Sequence, residues 1–492
     1  MATGAQVSPI FQQRRAGLLL HPTSLPSGTL GKDARRLVDF MAEAGLSVWQ
    51  MLPIGPTHGD GSPYQGLSAH AGNPQLIDPE WLIERNWVSA AEAEGQSTQA
   101  LLELAAERFF STGQGGRETD VFEREYQQFC KAQAHWLDDY ARFQTLREIY
   151  DYRPWNLWPD VYRQHNPKSL VTLEETHGHR LNYSRFEQFV FYSQWKNVRS
   201  YAHQKGIFLF GDVPIFVAHD SADVWANQKY FRLDEQGNPL TVAGVPPDYF
   251  SETGQHWGNP HYDWQVMEAE GFSWWVQRMN TQLALFDLLR IDHFRGFEAF
   301  WEIPGQSKDA RLGQWVKAPG RELLSRFFEQ FHELPLVAEN LGLITEEVEA
   351  LRKEFKLPGM LVLQFGFDGN PHNPHLPHCH MPLDVIYTGT HDNDTSLGWY
   401  KSLDESARQS VAEYLGKPQE SMPWPLIRSA LASVGKMAVI PMQDFLALDS
   451  EHRMNMPGTV VNNWIWRFDW SMLPAGLASR VRRLLEIYGR IS

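Results

Sequence analysis

The segment Leu288-Leu289-Arg290-Ile291-Asp292-His293-Phe294-Arg295-Gly296 joins a short apolar run to ionisable residues at its end. Seven other stretches have the same form. Gly17–Leu20 runs into His21-Pro22, Ser47–Leu52 into Pro53, and Ile207–Phe210 into Gly211-Asp212. Leu336–Ala338 runs into Glu339-Asn340, Met360–Phe365 into Gly366, Val385–Tyr387 into Thr390-His391-Asp392, and Met437–Ile440 into Pro441. Short continuous apolar runs are the signature of strands buried on both faces, as in a parallel sheet. Amphipathic helical patterns lie between several of them: Asp33–Ala44, Phe272–Leu285, Arg321–Leu334, Thr345–Phe355 and Glu405–Leu415. Strands alternating with helices predict an α/β fold with a parallel sheet. An open doubly wound sheet carries the same local signals. Eight runs favour a (β/α)8 TIM barrel, whose site forms where strands end and loops begin.

The spacing is uneven. About 155 residues separate the second and third runs, between 52 and 207, and roughly 75 the third and fourth. One βα unit needs only a few tens, so both gaps hold insertions. Residues 85–180 carry the helical stretches Ala90–Phe110 and Asp120–Tyr150 and read as a mostly helical insertion. Residues 214–265 are rich in Pro, Gly, Asp, Asn and aromatics with little periodicity, and read as a loop-rich insertion over the barrel mouth. About 50 residues follow the last run, with a helix near Gly476–Ile487, which leaves no room for a C-terminal β-domain. The expectation is one barrel unit over 1–492.

Composition narrows the function. With 44 basic and 59 acidic residues the net charge is −15, against the clustered Lys and Arg of a nucleic-acid binder. No apolar run approaches the ~18 residues of a membrane span. Met1–Phe11 lacks the pattern of a secretory signal, so the cytoplasm is the expected compartment, although a mature plastid protein would read the same. Two cysteines, Cys130 and Cys379, make no disulfide framework. The 19 Trp, 16 Tyr and 28 Phe suit a large core, and flat aromatic faces also suit sugar clefts.

The strand ends carry the chemistry. Arg290 and Asp292 point to one face, because strand side chains repeat every two residues. An adjacent guanidinium favours an ionised carboxylate, which can serve as a nucleophile; a purely structural ion pair is the plainer alternative. Glu339, directly after an apolar run, sits where a general acid would stand, or where a carboxylate favours a helix N-terminus. Asp392 lies in Thr388-Gly389-Thr390-His391-Asp392-Asn393-Asp394, which could also cap a helix. Asp212 is a fourth strand-end carboxylate. Carboxylates from separate strands suit glycoside chemistry, which pairs an ionised nucleophile with a protonated acid. No phosphate-binding, dinucleotide-binding or G-x-S-x-G motif is present. His372, His375, His378, Cys379 and His380 form a His-rich run, but three prolines make it a rigid loop with poor metal spacing, so neither metal nor cofactor is expected.

Taken in order, these segments resemble the amylomaltases, the 4-α-glucanotransferases of glycoside hydrolase family 77. The resemblance rests on Gly17–Pro26, Gly61-Ser62-Pro63-Tyr64-Gln65, Gly211–Pro214, Val245–Ser251, Gly254–Pro260, Arg290–Gly296, Ala338–Gly342 and Thr390–Thr395, and covers nearly the whole chain. It implies Asp292 as nucleophile, Glu339 as acid and then base, and Asp392 as transition-state stabiliser. It implies sugar contacts from Arg290, His293, His391, Asp212, Tyr64, Trp257, Gln255 and Asn340, with Val245–Pro260 as a flexible loop over the cleft. It implies α-1,4-glucans as partners and retention of configuration by double displacement. Asn462 stands where the family pattern has Gly before Asn-Trp; Asn is the commonest non-glycine residue at positive φ, so the turn can be kept. An α-1,4-glucan hydrolase, a non-catalytic glucan-binding barrel and a metal enzyme using the His-rich run are the competing readings. Monomer and homodimer are both open.

Overall fold

The computed structural model describes residues 7–111, 119–247, 252–459 and 461–491. Its strands, in chain order, are β1 (Arg15–Leu19), β2 (Val48–Gln50), β3 (Phe208–Pro214), β4 (Thr241–Val245), β5 (Gln255–Pro260), β6 (Leu288–Asp292), β7 (Ala299–Pro304), β8 (Gln314–Lys317), β9 (Leu336–Ala338), β10 (Met360–Val362), β11 (Val385–Tyr387) and β12 (Met437–Pro441). Eight form one sheet in the order β10-β11-β12-β1-β2-β3-β6-β9, with every pair parallel. Each of the eight apolar runs supplies one of these strands. Only Met360–Val362 of the sixth run is strand; Leu363–Gly366 tightens into a 3-10 turn.

The sheet wraps into a nearly closed (β/α)8 barrel, and the gap between β9 and β10 is bridged. The Ala338 N–H donates to Pro358 O at 2.8 Å. The Met360 N–H donates to Asn340 Oδ1 at 2.8 Å, and Asn340 Nδ2 donates to Glu349 Oε1 at 2.8 Å. A side-chain amide thus stands in for the missing ladder at the mouth end of the seam. Asn340→Ala leaves that strand N–H without its acceptor, which costs about 1–3 kcal/mol. The midpoint of urea unfolding is expected to fall accordingly; an unchanged midpoint would show that the seam does not depend on this amide.

Between β2 and β3 the chain forms helices at Ala90–Ala93, Thr98–Ser111, Thr119–Ile149 and Pro167–Gln204. The single helix expected over Ala90–Phe110 is split at Gly95, whose φ of 71° breaks the helix. The helix Pro167–Gln204 is kinked at His177, just before Gly178, and then continues toward β3 as the crossover helix. Trp87, Phe109 and Phe186 pack ring against ring in its core.

Residues 214–265 hold more regular structure than their composition suggests. Here β4 and β5 pair antiparallel, and β7 and β8 extend them to a four-stranded sheet in the order β5-β4-β7-β8. Gly, Pro and Asn are weak strand formers, and half of this sheet comes from beyond β6, so a local reading finds no strand. Gly244 is required: a Cβ there would lie 2.1 Å from Gln255 O. Residues 248–251, including Tyr249 and Phe250 of the expected cleft loop, lie outside the described residues.

Candidate active site

Parallel pairing of β3 with β6 sets Asp212 beside Arg290, and Pro214 beside Asp292. The guanidinium of Arg290 is buried and sits between two carboxylates. Nη1 donates to Asp212 Oδ2 at 2.6 Å and Nη2 to Asp292 Oδ1 at 2.7 Å. The Tyr64 hydroxyl also donates to Asp212 Oδ2, at 2.7 Å, and meets His391 Nε2 at 2.9 Å. Tyr64 and His391 stack with ring centroids 5.3 Å apart. Asp292, at the last position of β6, keeps 28% of its side chain exposed, whereas Asp212 keeps 1%. Asp212 therefore anchors the guanidinium, and Asp292 faces the cleft.

Glu339 follows β9 and is held by backbone on both oxygens. The His293 N–H donates to Oε2 at 2.8 Å and the Leu341 N–H to Oε1 at 2.7 Å. His293 makes its bond from a left-handed conformation, φ 55°, that is uncommon for a non-glycine residue. The turn after Asp292 thus fixes the carboxyl of Glu339. Asp392 belongs to the loop after β11. Its Oδ1 accepts from Asn455 Nδ2 at 2.6 Å, its Oδ2 lies 3.3 Å from His391 Nε2, and its backbone carbonyl accepts from Arg453 Nη2 at 3.0 Å.

Four carboxylates share one guanidinium, so the cluster carries excess negative charge. Burial pushes Asp292 up to about 7 against the pull of Arg290, and Asp212, Glu339 and Asp392 push the same way. Arg290 pulls Asp292 toward the ionised form, as the sequence suggests, but burial outweighs that pull. Burial also raises Glu339, opposed by Arg290 and by the Leu341 and His293 N–H groups. Asp392 differs: burial works against its charge, but His391, the Asn455 amide and Arg290 hold it well below the usual carboxylate range. Burial pushes His293 down to about 3, so its imidazole is neutral. Three buried polar atoms of the cluster, Asp212 Oδ1, Arg290 Nε and His293 Nε2, have no hydrogen-bond partner among the described residues. Such atoms at a cleft suit the hydroxyls of a sugar.

These shifts carry a prediction. A pair that works with one carboxyl ionised and one protonated gives a bell-shaped pH profile of kcat/KM. Asp212→Asn removes a negative neighbour and releases Arg290 toward Asp292, and both effects lower the Asp292 pKa. The acid limb of the profile is expected to move to lower pH. An acid limb that stays in place would contradict this electrostatic account.

The profile of glycoside hydrolase family 77, described as 4-alpha-glucanotransferase, matches residues 20–472. The chain belongs to glycoside hydrolase family 77. The 4-alpha-glucanotransferase of Thermus thermophilus is 46% identical over 97% of this chain and 99% of its own. The chloroplastic/amyloplastic 4-alpha-glucanotransferase of Solanum tuberosum is 41% identical over 97% of this chain and 87% of its own. An amylomaltase of Streptococcus agalactiae, solved with acarbose, superposes with a TM-score of 0.93 at 34% identity over 98% of this chain and 100% of its own.

Within this family 77 barrel the other expected contacts are placed as follows. The Trp257 ring meets His293 edge-on at 4.8 Å, and its Nε1 donates to Gln255 Oε1 at 3.0 Å, which sets both on β5 beside the cluster. Asn340 is engaged at the barrel seam, so its amide acts on the frame beside Glu339. In the His-rich run three of the imidazoles are engaged by the protein. His375 Nδ1 accepts from Val362 N, His380 Nδ1 pairs with Ser433 Oγ, and His378 pairs with the Tyr414 hydroxyl. Among the described residues no group of three or more His, Cys, Asp or Glu could hold a metal ion. Asn462 adopts φ 63°, as the turn before Asn463-Trp464 requires. Trp464 then lies 5.9 Å from Tyr64 and 6.1 Å from His391 between ring centroids. Sequence reasoning missed Asn455, Arg453 and Trp464 as site residues. They reach the cleft from a segment whose only signal was its place in the family pattern.

Proposed function

We propose that this 4-α-glucanotransferase moves segments of α-1,4-glucans by a retaining double displacement in which Asp292 is the nucleophile and Glu339 the acid and base. The observation that carries the reading is the interlocked pair of strand ends. Arg290 holds Asp292 at the cleft, and the turn after Asp292 holds Glu339. In the first step the Asp292 carboxylate attacks the anomeric carbon, the glycosidic bond to O4 breaks, and Glu339 gives its proton to the departing oxygen. The glycosyl group becomes an ester of Asp292. In the second step Glu339 takes the proton of an acceptor 4-OH, which attacks the same carbon and releases Asp292. Two inversions give net retention. The transition states are oxocarbenium-like, so the negative cluster with a firmly ionised Asp392 stabilises the charge as it develops. Tyr64, His293, His391, Asp212 and Arg290 would hold the reacting sugar. Trp257 and Gln255 border the acceptor path, where exclusion of water favours a sugar acceptor. The Streptococcus agalactiae amylomaltase was solved in complex with acarbose, which supports a sugar-like ligand for this chain.

Among the described residues no helix is long and apolar enough to cross a membrane. Two free, half-buried cysteines suit a reducing compartment. We assign the cytoplasm, with the plastid named for the potato relative as the other compartment of the same chemistry.

The test is the product profile from maltotriose, without added metal or nucleotide. Glucose together with maltooligosaccharides longer than the substrate is the expected result. Glucose and maltose alone would make water the acceptor and overturn the transfer reading. No product would overturn the assignment of catalysis.

A further inference from the structure

Asp444 stands outside the carboxylate cluster, in the short helical turn Met442–Phe445 that follows β12. It is 1% exposed. No Lys, Arg or His among the described residues forms an ion pair with it. Three neutral donors satisfy it instead. Thr388 Oγ1 donates to Oδ2 at 2.6 Å, Ser396 Oγ to Oδ2 at 2.6 Å, and the Ser396 N–H to Oδ1 at 2.8 Å. Thr388 and Ser396 are themselves fully buried. A buried carboxylate without a cation is costly unless its hydrogen bonds are complete, so its location calls for an explanation.

The two partners supply it. Thr388 directly follows β11, and Ser396 begins the helix Ser396–Ser402. Between them runs the loop that carries His391 and Asp392. One carboxylate therefore clamps both ends of that loop to the end of the neighbouring strand. The loop is braced within as well: Asn393 Oδ1 accepts from the Thr390 N–H at 2.9 Å, and Gln364 Nε2 donates to Asp394 O at 2.9 Å. With its ends pinned, Asp392 can meet the Asn455 amide and His391 can meet the Tyr64 hydroxyl.

We infer that Asp444 is a positioning residue that holds the ends of the 388–396 loop so that His391 and Asp392 reach the reacting sugar. The inference rests on the proposed role of Asp392. Asp444 touches no substrate, and its effect passes through the loop. Asp444→Asn keeps the size but leaves one acceptor oxygen where there were two, so either the Ser396 N–H or the pair of hydroxyls from Thr388 and Ser396 loses its acceptor. A displacement of about 1 Å at a reacting group costs roughly 100-fold. The expected effect of Asp444→Asn on maltotriose disproportionation is a fall in kcat of about 10- to 100-fold with KM nearly unchanged. Thr388→Val, which removes one donor without changing shape, is expected to act in the same direction and more weakly.

The decisive readout is a double-mutant cycle on acarbose affinity, measured by calorimetry with Asp392→Asn as the second change. If Asp444 works through Asp392, Asp444→Asn weakens acarbose about tenfold in the parent and has little effect beside Asp392→Asn. An equal loss in both backgrounds would assign Asp444 a general structural role and overturn the inference. Full activity in Asp444→Asn would overturn it too, as would full activity in Thr388→Val should the Asn variant fail to fold. Failure of the underlying reading looks different: Asp392→Asn would then itself retain activity.

Discussion

Asp292→Asn is expected to lower transfer from maltotriose by at least about 10⁴-fold, as removal of a covalent nucleophile does elsewhere. That corresponds to about 5.4 kcal/mol of lost transition-state stabilisation. The fold should survive. Arg290 loses one partner but keeps Asp212 at 2.6 Å, so no buried guanidinium is stranded. Asp292 is the more exposed of the two carboxylates, and its amide analogue can still accept one hydrogen bond from Arg290. Thermal unfolding of the variant should therefore lie near that of the parent, while products from maltotriose vanish. Activity within tenfold of the parent would remove Asp292 from the nucleophile's role.

Glu339→Gln has the next largest expected effect, a loss of about 10²- to 10⁴-fold, the range for general acid–base catalysis. Its diagnostic feature is selective rescue. With α-maltosyl fluoride as donor the leaving group departs without a proton, so the first step proceeds. The second step still lacks a base for the acceptor 4-OH. A burst of about one fluoride per enzyme followed by slow turnover is the expected time course. Some loss of stability accompanies the change. The carboxylate accepts from both His293 and Leu341 N–H groups, and Gln offers only one acceptor oxygen, which costs about 1–3 kcal/mol. A fluoride rate no faster than the rate on maltotriose would argue that Glu339 is not the acid.

The barrel was legible in the sequence because buried parallel strands are written locally. Each apolar run between Leu18 and Ile440 needs only its own residues to be recognised, and the ionisable residues at the run ends mark the mouth. The four-stranded sheet was not legible, because β4 finds one of its two partners beyond β6 and the β4–β5 pair is built with Gly244, Gly258 and Pro260. Arg290 beside Asp292 was visible through the two-residue strand period. That Arg290 also serves Asp212 follows from the β3–β6 register, which no local pattern carries, and the Asp212 charge adds to the burial that raises Asp292. Asn340 read as part of a site motif, yet its amide closes the barrel seam against Met360, a role set by the gap between β9 and β10. Asn455 and Asp444 act on Asp392 from more than fifty residues away in sequence. No local spacing announces either residue. Asn462 shows the opposite case: the positive φ read from a single residue type is present.

The covalent ester on Asp292 is the central claim, and mass spectrometry of the Glu339→Gln variant tests it most directly. The variant is incubated with α-maltosyl fluoride, quenched in acid and digested. The account predicts a maltosyl adduct on the peptide that contains Asp292, lost when an acceptor sugar and a competent external base are added. An unmodified Asp292 peptide despite release of fluoride, or an adduct on another carboxylate, would contradict it.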